Sequence, residues 1–212
     1  GCGGSIAKWV NNGHQVDILI IAEGVTSRSF SRNREANKKE LLNLSSMAQR
    51  SSKIVGANSI ELLDYPDNRL DSIELLDLIK VVEAKVEKIE PEIVVTHHFS
   101  DLNIDHCLVH KAVITACRPQ PGHIVKRIMS FEVPSSTEWQ SISNNQPFVP
   151  NWFEDISKTL SVKLDALNIY KSEMYKWPHA RSIKSVKSLA NWRGASIGCE
   201  SAEAFILLRN LN

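Results

Sequence analysis

Short apolar runs alternate with longer segments whose apolar positions recur every three or four residues, and this rhythm holds through residue 133. "VDILIIA" at Val16–Ala22 is continuously apolar, as expected of a parallel strand buried on both faces. "SIELLDY", "EIVVTHH" and "IVKRIMSFEV" read as further strands. Three segments between them carry helical spacing. "LLNLSSMAQRSSKIVGA" stops at Gly56, "LDSIELLDLIKVVEAKVEKIEP" is a long amphipathic helix ended at Pro91, and "DHCLVHKAVITAC" is the third. Strand and helix in alternation predict a doubly wound α/β sheet with right-handed crossovers.

Beyond Pro134 the pattern loosens. "PSSTEWQSISNNQPFVPNWFEDIS" is aromatic and rich in Pro, Ser and Asn, and "KTLSVKLDALNIYKSEMY" then predicts a helix. A loop "KWPHARS", a second helix and a terminal strand "AEAFILLR" follow. The reading is one domain over residues 1–212, with an α/β core at 1–133 and a C-terminal cap portion at 134–212. The start is unusual: "GCGGSIAKWVNNGH" is a glycine turn opening an amphipathic helix. Such a turn normally follows a strand, so the expectation is a fragment or shortened version of a longer protein, lacking that strand. "GCGG" also has the look of a phosphate-cradling turn, but a bare glycine cluster is a weak signal and a tight strand-to-helix connection is the preferred reading.

Composition narrows the partners more than it names them. Lys and Arg total 25 against 24 Asp and Glu, and the short cluster "VKRI" is too small for a nucleic-acid patch. No apolar stretch approaches membrane-span length. The cysteines at 2, 107, 117 and 199 have neither zinc-ribbon spacing nor the density of a secreted scaffold, which favours a reducing cytoplasm.

Candidate chemistry gathers where parallel sheets bind ligands, beyond the carboxyl ends of strands. "AEGVTSR", "DYPDN" and "THHFSDLNIDH" are the loops placed there, with "GCGG" beside them. "THHFSDLNIDHCLVH" holds four histidines and two aspartates in fifteen residues. Imidazole and carboxylate are zinc and iron ligands, and a carboxylate commonly orients a ligating His. Asp105 also suits a helix cap or first-turn acid, and local residues leave the metal site and the solvated loop both open. His110, one turn after His106, is read as pointing along its helix. Asp67 in "YPDNRLD" either hydrogen-bonds a polyol or shapes the turn. His179 and Arg181 in "WPHARS" suit a sugar or anion, or else a surface loop.

These stretches together resemble the LmbE-like, or PIG-L, N-deacetylases. "GCGGSIAKWVNNGHQVDILIIAEG" is similar to the continuation of that family's opening "AHPDDE-x-x-x-G-x-GG" motif. "VVTHHFSDLNIDHCLVH" resembles its strand ending in "TH" followed by "x-DH", and "YPDNRLD" resembles its "PDG-x-L" turn. The tail "YKSEMYKWPHARS…WRGASIGCESAEAFILLR" is similar to that of a bacterial branch. The resemblance implies a Rossmann-like three-layer α/β/α fold with a mostly parallel sheet. It also implies a zinc-dependent hydrolase that removes N-acetyl groups from N-acetylglucosamine-type sugars or glycoconjugates, a small-molecule substrate and homo-oligomers. His106 becomes a metal ligand, and Asp105 its orienting partner or an active-site carboxylate. His98, Asp101 and His179 become candidate acids, with Asn103, Asp67, His179 and Arg181 near substrate and Trp139, Trp152 and Trp177 at the pocket rim. In the family's mechanism zinc activates water and polarises the amide, and a carboxylate takes the water proton. Two departures follow. The family's "HPDDE" ligands and base would lie before Gly1, and Asn103 stands where several members carry an assisting His. The alternative is an inactive member that binds a sugar or a protein partner.

Overall fold

In the computed structural model, which describes residues 1–141 and 146–212, helices and strands alternate as the pattern predicts. The order is α1 (Gly3–Asn11), β1 (Asp17–Ala22), α2 (Lys38–Ile54), β2 (Ser59–Tyr65), α3 (Leu75–Ile89), β3 (Ile93–His97) and α4 (Ile104–Ala116). β4 (Arg127–Phe131), β5 (Trp152–Asp155), α5 (Leu160–Ile169), α6 (Ile183–Ala195) and β6 (Ala202–Asn210) complete it. Ile142–Asn145 of the loosely patterned stretch lie outside the described residues.

The architecture is mixed α/β with mostly parallel pairing, but the strands form two sheets rather than one. β1 and β2 pair in parallel, with Asp17 opposite Ser59 and Ile18 opposite Ile60. The second sheet has the order β3-β4-β6-β5. β3 and β4 are parallel, with Thr96 opposite Ser130, and β4 and β6 are antiparallel. β1 and β3 are therefore edge strands among the described residues, each with one side of its ladder unpaired. This departs from the burial expected of their apolar runs: only Ile21 in β1 is fully buried, and Ile93 in β3 is exposed.

The chain forms two compact units, Gly1–Asp67 with Phe153–Glu203, and Asn68–Trp152 with Ala204–Asn212. In the first, α1 and α2 both pack on α5, and Ala7, Val55 and Ala166 are buried together. In the second, α3 packs on α4, with Leu78, Val82 and Val86 buried on α3 and Ala112, Val113 and Ala116 on α4. The long helix expected from Leu70 begins only at Leu75. Leu70–Ser72 is instead a tight 3-10 turn in which Leu70 is fully buried. Glu90, at φ 52°, closes α3 in the left-handed region common at helix C-termini, and Pro91 follows it.

α1 starts on a carboxylate from the last strand. Gly4 N–H and Ser5 N–H donate to the two oxygens of Glu203 at 3.0 and 2.7 Å, satisfying donors that a helix start leaves over. Lys163 Nζ reaches the same carboxylate at 2.5 Å and the Gly1 carbonyl at 3.0 Å. The glycine turn is thus filled from within the chain, and the phosphate-cradle reading of "GCGG" falls. In the same unit Gly194 is forced by close approach, because a Cβ there would sit 2.6 Å from Ser201 N and 2.7 Å from Cys199 O. Gly194→Ala is expected to cost about 1–3 kcal/mol in urea unfolding.

Candidate functional site

The site is the turn between β3 and α4 in the second unit. β3 delivers His97 at its carboxyl end, and Asn103 caps α4 by accepting the Asp105 N–H at 2.8 Å. Asn103, not Asp105, is therefore the cap, and Asp105 is the first-turn acid favoured by the helix dipole. Asn103 Nδ2 donates to Asn68 Oδ1 at 2.9 Å.

Asp105 addresses the backbone of the turn after β2. Its Oδ2 accepts the Asn68 N–H at 2.7 Å and its Oδ1 the Leu70 N–H at 3.0 Å, so it pins the "PDNRL" turn to α4. Asp105→Ala would leave two backbone donors without that acceptor, one of them buried. The expected loss is about 2–3 kcal/mol, with faster amide exchange at Leu70; unchanged exchange there would contradict this role.

The carboxylate beside His106 is Asp101, whose Oδ1 stands 3.0 Å from His106 Nδ1. Asp101 is buried and accepts from Asn103 N–H at 2.9 Å, Thr137 Oγ1 at 2.7 Å and Ser136 Oγ. Burial pushes its pKa up, but the hydrogen bonds from His106, Ser136, Thr137 and Asn103 outweigh that and hold it at about 2. It stays ionised near neutrality and has no proton to give, which removes it from the candidate acids. His98 is fully buried, with Nε2 3.2 Å from the Gln146 carbonyl and its ring edge-on to Phe148. That burial lowers its pKa and makes it a core residue rather than a solvent-reached acid. His110 Nδ1 lies 2.8 Å from the His97 carbonyl, tying α4 back to β3 as a structural contact.

His97 is the participant with no assigned role in the sequence reading. Its ring stacks on His106 at 4.1 Å between centroids and 13° between planes, and its buried Nδ1 finds no hydrogen-bond partner among the described residues. Burial, then the neighbouring His106, holds its pKa well below the usual imidazole range. Ser136 and Thr137 were also missed. They lie 35 and 36 residues from Asp101 in the chain, and nothing local in "PSSTEW" marks them.

Among the described residues, no three His, Cys, Asp or Glu side chains converge as a group able to hold a metal. The turn brings together two stacked imidazoles, His97 and His106, without a third ligand beside them among the described residues.

Asp67, His179 and Arg181 belong to the first unit. Asp67 accepts the Ser27 hydroxyl at 2.5 Å. His179 stacks on Tyr175 at 4.3 Å, its Nδ1 accepts the Arg181 N–H at 3.0 Å, and the Arg181 guanidinium lies 5.0 Å from the Tyr175 ring centre. Lys184 similarly covers the Trp177 ring at 4.5 Å. Glu23, at the carboxyl end of β1, is held by Arg32 and Arg34 at 2.7 and 2.8 Å. That network was not foreseen, because "SRNRE" reads only as a polar loop.

The profile of the PIG-L family, described as GlcNAc-PI de-N-acetylase, matches residues 1–117, more than half of the chain. The chain belongs to the PIG-L family. Among PIG-L-like relatives, the uncharacterized deacetylase YaiS of Escherichia coli (strain K12) is 28% identical over 178 residues, covering 81% of this chain and 83% of YaiS. N,N'-diacetylchitobiose deacetylase from Pyrococcus horikoshii shares the fold at TM-score 0.70 and 18% identity, covering 99% of this chain and 78% of that one. GalB, the 4-carboxy-2-hydroxymuconate hydratase from Pseudomonas putida KT2440, superposes at TM-score 0.74 and 19% identity, covering 99% and 90%. A hydratase and a deacetylase on one fold mean that the fold alone does not select the reaction.

Proposed function

We propose that this PIG-L chain belongs to a zinc-dependent N-deacetylase acting on a linear amide, the N-acetyl group of an N-acetylglucosamine-type sugar or glycoconjugate. The observation that carries the reading is His106, held at the carboxyl end of β3 by a buried, ionised carboxylate, within a chain whose family and relative are deacetylases. A ring fixed in this way suits a ligand or an acid/base group, whose rotamer must be locked to act. His106 supplies one of the metal ligands, and the described residues do not supply the rest. Exposed Trp139 and Trp177 offer aromatic faces of the kind sugar rings stack on. No helix among the described residues is long and apolar enough to cross a membrane.

The incomplete ligand set favours a second reading, a catalytically inactive member that keeps the fold to bind a sugar or a protein partner. One experiment separates the two. The product of the complete reading frame, loaded with zinc, is offered a panel of N-acetyl sugars and glycoconjugates while acetate is measured. Acetate released with zinc and suppressed by a chelator supports the enzyme. Sugar binding without acetate supports the inactive member.

A further inference from the structure

We propose that the Arg181 guanidinium, beside the exposed Tyr175 ring, is a binding site for an oxyanion, the phosphate or carboxylate of a small anionic ligand. The charge around it in the chain has one sign. Residues 174–199 carry Lys176, Arg181, Lys184, Lys187 and Arg193, and no Asp or Glu. Within them, the loop ahead of α6 is closed by its own bonds. Tyr175 N–H donates to the Arg181 carbonyl at 3.2 Å, and Ser182 N–H to the His179 carbonyl at 2.9 Å. Buried Ser182 accepts the Ser185 N–H at 3.0 Å, and the Ser185 hydroxyl donates to the same His179 carbonyl at 2.8 Å. These bonds fix the backbone that carries Arg181.

The guanidinium itself is left over. Arg181 is part-buried, always charged, and carries five N–H donors. Its Nε is buried without a hydrogen-bond partner, and among the described residues no acid pairs with it. The Tyr175 ring centre, 5.0 Å away, attracts the charge but supplies no oxygen acceptor. Glu173, two residues before Tyr175, has both oxygens on Arg28 at 2.8 Å. Arg209 shows how an arginine that fastens the fold differs. Its Nε is also buried and unpartnered, but its terminal nitrogens donate to the Cys117 and Val125 carbonyls at 2.6 and 2.9 Å. A guanidinium fork without an internal acceptor matches an oxyanion, which it takes in two parallel N–H···O bonds. Tyr175 and Trp177 are each about half exposed, and aromatic faces of this kind suit a sugar ring that carries the anion.

This site goes beyond the deacetylase reading and does not rest on it. The test titrates the product of the complete reading frame, labelled with 15N in arginine, with inorganic phosphate, glucose 1-phosphate and glucose at fixed ionic strength. The Arg181 Nε–H signal, assigned by its loss in Arg181→Lys, is expected to move and saturate with the anions and to stay still with glucose. Tighter binding of glucose 1-phosphate marks an anionic sugar as the ligand, and equal binding of phosphate marks a free oxyanion; both uphold the site. In calorimetry Arg181→Gln is expected to weaken anion binding at least about tenfold, the loss of one charged hydrogen bond. A signal that neither anion moves, or that glucose moves as far, overturns the proposal, as does an unchanged affinity in Arg181→Gln. The wild-type spectrum decides even where a variant fails to fold. Acetate release by a protein whose Arg181 ignores both anions would sink this proposal alone, while saturable anion binding without acetate release would sink the enzyme reading alone.

Discussion

Glu203→Ala is expected to cost about 3–5 kcal/mol, roughly a fifth or more of the stability of an ordinary domain. The carboxylate satisfies Gly4 N–H and Ser5 N–H at the start of α1 and pairs with Lys163, and both partners of the pair are almost wholly buried. Truncation leaves an ammonium with the Gly1 carbonyl as a remaining partner, and removes a buried acceptor from two backbone donors. Replacing the pair together, as Glu203→Leu with Lys163→Met, removes both charges and is expected to be milder than Glu203→Ala alone. A single variant that loses less than about 1 kcal/mol in urea unfolding would contradict the role given to this pair.

The same carboxylate sets a pH dependence. Burial raises the Glu203 pKa, but the charge and hydrogen bond of Lys163 and the bonds from Ser5 outweigh it, and the net shift is downward. A folded pKa below the unfolded one means stabilisation that is complete above the ordinary glutamate value of 4.5 and is lost as pH falls through the folded value. The urea midpoint is expected to decline below about pH 4.5 in the wild type, and to decline less in Glu203→Gln.

The second large effect concerns zinc. A complete protein site holds the ion with about 10–16 kcal/mol of apparent binding free energy, whereas the described residues gather no three-ligand group. Calorimetric titration of the 212-residue chain is therefore expected to show binding no tighter than about 1 mM. A one-to-one complex at micromolar concentration or tighter would mean that these residues do assemble a site.

The fold was legible where burial dictates composition. "EIVVTHH" and "SIELLDY" could hardly be anything but strands, and Pro91 and Gly56 end their helices where backbone chemistry requires. β5 was not legible, because Trp152–Asp155 is four residues inside a stretch without periodicity. Nor was the break into two sheets, since periodicity says nothing about which edges find partners. The site was legible as a cluster but not in its division of labour. The adjacency of Asp105 and His106 suggested a pair; that Asp105 addresses the backbone of Asn68 and Leu70 from the first helical turn was not legible. Asp101, five residues earlier, takes His106 only because the chain folds Ser136 and Thr137 onto it. Glu203, inside the plain-looking strand "AEAFILLR", shows the same limit: its partners lie 40 residues and more away in the chain.

The most direct test compares acetate release from an N-acetylglucosamine conjugate by the zinc-loaded product of the complete reading frame and by its His106→Ala variant. Loss of an orienting group around a metal costs about 10–100-fold, so loss of a ligand is expected to cost at least about 100-fold. That fall, with the variant's thermal midpoint close to that of the wild type, is the result the account predicts. Equal acetate release by the two proteins would contradict it.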